Sequence, residues 1–477
     1  MSAEALFPRL DPEAFRSQAH QLADWMADYL RDLGHYRVQP TVTPGEIRGR
    51  IPPGPPEQGE AFERIMEDFE RIIVPGLTHW GHPGFFGYFP ANTSPASILA
   101  EMLTAALGAQ CMSWNTSPAA TELEQAMMEW LRRMLGLPEG FTGVIQDTAS
   151  TATLVALITA RDQAVRRSSG RAVDALTVYT SEEANSSVPK GARLAGIRPD
   201  HIRLIPTDAA AAMSVPALEA AIAADRVAGL VPCGVVSTVG TTGSTAIDPV
   251  RAIAEVCRRE DLWLHVDAAF AGSAAILPEM RWILDGAEHA DSLVFNPHKW
   301  LLVNFDCSAY FVRDPAALLR SFSASAEILK AAYDDAAVNF RDWGIQLGRR
   351  FRALKLWFVI RTYGVEGLRA MLREHIRLGK LFADWVDGEP GFERIGEAPL
   401  ATVCFRLVPA GESELAGDLD RLNRDLLERL NATGKIFLTG TRLKGRYVLR
   451  LALGHLTTTE AHVREAWDLI RREASEL

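Results

Sequence analysis

Phe15, Ala19, Leu22, Met26 and Tyr29 recur at three- and four-residue intervals, which predicts an amphipathic helix near the start of the chain. Asp11 is placed to cap it, and Pro12 suits its first position, where a missing N–H loses no partner. From Val38 to Gly59 this spacing disappears, and Pro52-Pro53-Gly54-Pro55-Pro56 reads as an extended linker. Residues 1–80 are therefore expected to form a helical arm and linker that lies on another surface, a partner subunit being the natural one.

Ser117-Pro118 opens a second clear helix, which ends near Gly136 before Pro138. Apolar, β-branched runs then follow at Leu176–Tyr179, Ile202–Ile205, Leu230–Ser237, Leu262–Val266 and Ser292–Phe295. Helical stretches such as Val215–Ala224 and Asp248–Arg259 separate most of them. Such alternation predicts an α/β fold with a mostly parallel, buried sheet. Ligands of these sheets sit beyond the carboxyl ends of the strands, so functional residues are expected just after the apolar runs. A helical region from Gly348 to Trp385 is broken near Gly364. Beyond it the pattern predicts a strand (Thr402–Leu407), a helix (Glu414–Leu430), two strands (Lys435–Leu438 and Tyr447–Leu453) and a final helix after Thr458. The expected division is a large domain over 81–365 and a small α/β domain over 366–477.

Charge and cysteine usage narrow the function. The formal net charge is −10, which repels phosphate backbones and makes nucleic acid an unexpected partner. Five widely spaced cysteines with no C-x-x-C argue against a disulfide framework or a metal site, and fit a reducing cytoplasm. The first residues, Met1 to Leu6, do not read as a secretory signal, and no stretch reads as a membrane span. G-x-G-x-x-G, Walker A, G-x-S-x-G and H-E-x-x-H are all missing, which counts against nicotinamide, P-loop, α/β-hydrolase and zincin chemistry.

Three segments carry candidate chemistry. Lys299 lies between two apolar runs in Ser292–Val303; a desolvated amine there is nucleophilic, as Schiff-base chemistry requires, although a surface lysine in a turn has the same local look. Asp267 directly follows the Leu262–Val266 run, where a carboxylate needs a cation such as a pyridinium nitrogen, unless it only caps the next turn. Thr148, Ala149 and Ser150 open a helix whose free N–H groups and dipole suit a phosphate, although Ser and Thr are also ordinary caps. An amine, a carboxylate and a phosphate cradle together match the needs of pyridoxal 5′-phosphate (PLP).

The segments Asn296–Ser308, His265–Gly272, Leu347–Lys355 and Ser117–Glu124 extend this match to motifs. On them the chain resembles the PLP-dependent aromatic-L-amino-acid decarboxylases, group II decarboxylases of the aspartate aminotransferase-like type I fold, over nearly its whole length. The resemblance implies a seven-stranded sheet, a homodimer with its site at the subunit interface, and decarboxylation of an amino acid to an amine and CO₂ through an external aldimine and a quinonoid. It implies Lys299 as the imine lysine and Asp267 as partner of the ring nitrogen. Ala149, Ser150 and Asn296 would hold the phosphate, with Thr242 and Ala269 against the ring and His298 beside the lysine. Trp80, Tyr88, Phe89 and Pro90 resemble the substrate-pocket segment, and Gln110 to Met112 the segment entering from the neighbour.

Four positions depart from the family pattern. Asn185 stands where the family has a histidine over the ring, and Ile328 where it has a loop tyrosine that donates a proton; Tyr333 is a nearby substitute. Ala91 replaces a pocket threonine, and Met112 an aromatic from the neighbour. Decarboxylation to the amine is the first expectation. Oxidative deamination to an aldehyde is the alternative, followed by a transaminase, whose arginine clamp the sequence does not reveal, and then an inactive binding homologue.

Overall fold

The computed structural model describes residues 11–168, 173–323, 337–409 and 416–477. Its centre is a seven-stranded sheet built from β1 (Thr142–Gln146), β2 (Leu176–Ser181), β3 (Ile202–Ile205), β4 (Val231–Thr238), β5 (Trp263–Asp267), β6 (Ser292–Phe295) and β7 (Ser308–Val312). The strand order is β1-β7-β6-β5-β4-β2-β3. Neighbours from β6 to β3 run parallel, whereas β7 is antiparallel to both β6 and β1. The five apolar runs read from sequence are β2 to β6, and every residue of β2, β5 and β6 is buried. That burial on both faces is why they read as continuous apolar runs.

The Pro118–Leu135 helix ends at Gly136, whose φ of 74° lets the chain turn out of the helix. Between β5 and β6 the connection is a series of 3₁₀ turns, Ala271–Ile276, Pro278–Leu284 and Ala287–His289. The 37-residue helix Arg352–Gly388 is kinked at Gly364, whose φ of 65° and ψ of 168° leave the helical region.

A second sheet, ordered β10-β11-β9-β8, comprises β8 (Phe392–Arg394), β9 (Thr402–Leu407), β10 (Thr439–Leu443) and β11 (Arg446–Ala452). The expected strand at Lys435–Leu438 is not one: the strand begins at Thr439. Ile436, Phe437 and Leu438 are buried for another reason. The Gly84–Phe86 segment runs parallel beside this stretch in an isolated bridge, with Phe437 N–H donating to Gly84 O (3.0 Å) and Phe86 N–H to Phe437 O (2.8 Å).

The first helix, Pro12–Asp32, is capped by Asp11, which accepts from the N–H groups of Glu13 and Ala14. Only its second half has cover: Trp25 meets Phe69, and Tyr29 Oη lies 2.8 Å from His79 Nδ1. The 38–59 stretch is extended but includes a short helix, Glu46–Arg50, that the prolines alone did not announce. Among the described residues no helix is long and apolar enough to cross a membrane.

Candidate active site

The carboxyl ends of β4, β5 and β6 meet at one edge, with Thr238 directly opposite Asp267 and Asp267 opposite Val294. After Phe295 the chain enters a single helical turn, Pro297–Trp300, through Asn296. Lys299 N–H donates to Asn296 O (2.9 Å). Buried Asn92 ties the turn down, its Nδ2 donating to Lys299 O (2.6 Å) and Gly454 O (2.7 Å). Lys299 Nζ lies 5.1 Å from the centre of the Phe89 ring. Burial pushes its amine down to about 8; the Asp267 carboxylate opposes that shift and the Arg450 guanidinium adds to it.

Asp267 is buried at the end of β5 and accepts one hydrogen bond, from Ala269 N–H (3.0 Å). Burial pushes its carboxyl up, restrained by the Lys299 charge and by that N–H. A carboxylate so placed is served by a second cationic N–H donor within the cavity.

The 19-residue helix Ala149–Arg167 begins at the same edge. Thr148 caps it by accepting from Thr151 N–H (3.3 Å), and Ala149 and Ser150 line the cavity. Asn296 Oδ1 lies 2.7 Å from Ser308 Oγ, which fixes one end of that amide. His298 Nδ1 accepts from Cys307 N–H (2.9 Å), so a neutral ring carries its proton on Nε2. Burial, with the Lys299 charge, pushes that imidazole down to about 3 and keeps it neutral.

Asn185 is held at both ends. Its Nδ2 donates to Thr242 Oγ1 (3.0 Å), and its Oδ1 accepts from Ser187 N–H (2.9 Å).

A cavity of about 200 Å³ collects Lys299, Asp267, Ala269, Asn296 and His298 with Thr148, Ala149, Ser150, Asn185, Thr242 and Phe89. These are a primary amine, a buried carboxylate and a helix N-terminus in one crevice, and that donor set fits PLP. A larger cleft of about 570 Å³ lies past Ser244; its lining includes Lys444, Asp248 and the start of the Val250–Glu260 helix, but the Asp248 carboxylate already accepts from Met213 N–H (2.7 Å) and Thr238 N–H (2.7 Å), and Lys444 Nζ donates to Thr207 Oγ1 (3.0 Å).

Other expected residues lie off the cavity wall. Trp80 and Tyr88 stack on each other (5.5 Å) and are partly exposed. Pro90 is buried against Gly454 and Ala91 is half-buried. Gln110 Oε1 accepts from Arg349 N–H (2.7 Å), and Met112 O from Arg341 N–H (2.8 Å). Ile328 and Tyr333 lie outside the described residues. Sequence reasoning missed Ser187, Thr238, Gly240, Phe270 and Phe305, which also line the cavity. Thr238 ends β4 and follows the rule that strand ends carry function; Phe305 lies inside the lysine motif, and Phe270 inside the His265–Gly272 motif.

Residues 44–408 match the family model of the pyridoxal-dependent decarboxylase conserved domain. The chain is 43% identical to phenylacetaldehyde synthase of Arabidopsis thaliana, over 100% of this chain and 99% of that one. It is 44% identical to aromatic-L-amino-acid decarboxylase of Sus scrofa, over 97% and 96% of the two chains. The crystal structure of Oryza sativa TDC with PLP and tryptamine superposes with a TM-score of 0.96 at 40% identity, covering 98% of this chain and 99% of that one.

Proposed function

The chain belongs to the pyridoxal-dependent decarboxylase family, and from that premise we propose that this PLP-dependent carboxy-lyase acts on an aromatic L-amino acid and releases the amine and CO₂. The observation that carries the reading is one crevice holding Lys299, Asp267 and an aromatic wall, in which Phe89 and Phe270 stack at 4.0 Å. Names among the relatives support the aromatic class.

When bound, PLP supplies the electron sink that makes loss of CO₂ feasible. Lys299 would bind the cofactor through its amine and, as a free amine, would be a base within the cavity. Asp267 would hold a proton on the ring nitrogen by its charge. Ala149, Ser150 and Asn296 would hold the phosphate, His298 would sit beside the lysine, and Thr148 caps the helix end that presents the Ala149 and Ser150 N–H groups. Thr242 and Ala269 bound the ring. We assign 1–80 as arm, 81–365 as cofactor domain and 366–477 as small domain. The five buried, unpaired cysteines support a cytoplasmic setting.

A second reading rests on Asn185. Its amide is engaged at both ends and has no proton to give, and Ile328 has none either. Protonation of Cα would then fall to Lys299 or water, and a slow proton would leave the oxidative route open. The oxidative route is amino acid + O₂ + H₂O → aldehyde + CO₂ + NH₃ + H₂O₂. The test is a panel of aromatic L-amino acids with amine, aldehyde, CO₂, ammonia and peroxide all quantified per turnover. Stoichiometric amine and CO₂ support the first reading. A divided product is expected to move towards amine in the double variant Ile328→Tyr with Asn185→His. Amine alone, with no oxygen uptake, ends the oxidative reading and makes Tyr333→Phe the next variant.

A homodimer is part of the proposal. The Pro95–Leu107 helix exposes Leu99, Met102, Leu103 and Leu107, and Gln110 to Met112 follow it directly. An apolar face of that kind is a protein–protein surface. Leu103→Glu with Leu107→Glu is expected to give a monomer by light scattering and to lose most turnover. A monomer with full turnover overturns the shared site.

A further inference from the structure

Tyr88 has a φ of 49°, in the left-handed region that a bulky residue avoids. Its backbone is gripped at both ends by the second sheet. Tyr88 N–H donates to Thr439 Oγ1 (3.3 Å), and Arg450 Nη1 donates to Tyr88 O. Thr439 and Arg450 are direct partners in the β10–β11 ladder. Arg450 is in turn the direct partner of Cys404 in the β11–β9 ladder. These last two residues share a second target: Arg450 Nε donates to Gly243 O (3.2 Å), and Cys404 Sγ–H donates to the same oxygen (3.4 Å). Burial pushes the Cys404 thiol up to about 11, so it keeps the proton it donates.

Each target adjoins a wall of the cavity. Tyr88 precedes Phe89, and Gly243 follows Thr242, which holds Asn185. The approach is close: a Cβ on Gly87 would lie 2.5 Å from the Phe437 ring. Arg450 is itself buried, lies 4.5 Å over the Phe89 ring, and keeps a buried Nη2 with no protein partner. A buried guanidinium left partly unpaired is disfavoured unless its position has a use.

We propose that the cross-strand row Thr439–Arg450–Cys404 is a latch through which the C-terminal sheet sets the spacing of the two cavity walls, with Arg450 as its positioning residue. The row spans the strap at Tyr88 and the loop at Gly243, so one sheet face fixes Phe89 relative to Thr242 and Asn185. The substrate's aromatic ring is thereby held by residues that touch neither cofactor nor reacting atoms. The inference rests on the site reading above, but its main readout needs no turnover.

The experiment compares Arg450→Met, Arg450→Lys and Thr439→Val in the holoenzyme. Arg450→Met is expected to speed hydrogen–deuterium exchange of peptides covering 84–92 and 238–245 by about 10-fold or more, while peptides within 402–407 keep their protection. KM for the aromatic substrate is expected to rise about 10-fold with cofactor content unchanged. Loss of the buried cation is expected to raise the apparent pKa of the Lys299–cofactor absorbance band; Arg450→Lys keeps the charge and therefore the band, but loses the exchange protection. Thr439→Val removes only the Tyr88 acceptor, so faster exchange is expected at 84–92 alone. Unchanged exchange and KM in Thr439→Val and in whichever Arg450 variants fold overturn the latch. Faster exchange without an effect on any aromatic substrate would retain the latch and overturn the substrate reading.

Discussion

Asp267→Asn is expected to lower turnover by on the order of a thousandfold or more while leaving the content of bound cofactor nearly unchanged. The side chains are almost the same size, and the amide oxygen can still accept from Ala269 N–H, which the carboxylate takes at 3.0 Å. What is lost is charge. Asp267 sits buried between Thr238 and Val294 in the ladder, so no bulk water replaces it as a counter-ion. Removing one partner of a buried ion pair costs about 3–5 kcal/mol. Most of that falls on the transition state, where the ring nitrogen must keep its proton as electrons arrive; 1.4 kcal/mol per tenfold gives the expected scale. Phosphate contacts at Ala149, Ser150 and Asn296 are untouched, which is why binding should survive. Steady-state kcat, with cofactor stoichiometry on the same sample, decides this; near wild-type turnover removes Asp267 from the role.

The central sheet was legible where burial is two-sided. β2, β4, β5 and β6 read as apolar runs, the edge strand β3 is legible despite Arg203 and exposed Leu204, and the end of β5 and the turn after β6 carry the carboxylate and the amine. β1 and β7 were not read, because Thr142-Gly143 weakens one and the lysine motif absorbs the start of the other. The apolar run around Phe437 reads as a strand because a single parallel bridge to Phe85 buries it as a longer ladder would. Groups brought in from far along the chain had no local signal. Asn92 lies 207 residues from the lysine whose carbonyl it binds, and Arg450 lies 362 residues from Tyr88. The arginine that the transaminase reading lacked is also clarified: Arg450 is near Lys299, but its bonds go to the main-chain carbonyls of Tyr88 and Gly243. Two of its three guanidinium nitrogens are thereby committed to protein structure, and Nη2 keeps no protein partner.

Lys299→Ala is expected to reduce turnover below about one-thousandth of wild type and to abolish the borohydride-trapped cofactor adduct, since the covalent route is lost with the amine. The pH dependence of capture gives the sharper test. With its amine lowered from 10.5 to about 8, Lys299 is charged and unreactive well below pH 8 and a free base above it. At pH 7.5 about one-quarter of it is free, against about one-thousandth for an ordinary lysine, a gain of roughly 200-fold in reactive amine. Cofactor-free protein should therefore capture PLP at a rate that climbs up to about pH 8 and then levels off, followed by the growth of the visible band. Lys355 is an internal control: it is fully buried, whereas Lys299 is half-buried, but it pairs with Glu101 at 2.8 Å and lies outside the cavity. After reduction, the adduct should map to Lys299 alone. An adduct on Lys355, or capture that keeps rising towards pH 10, would show that the cavity does not activate Lys299.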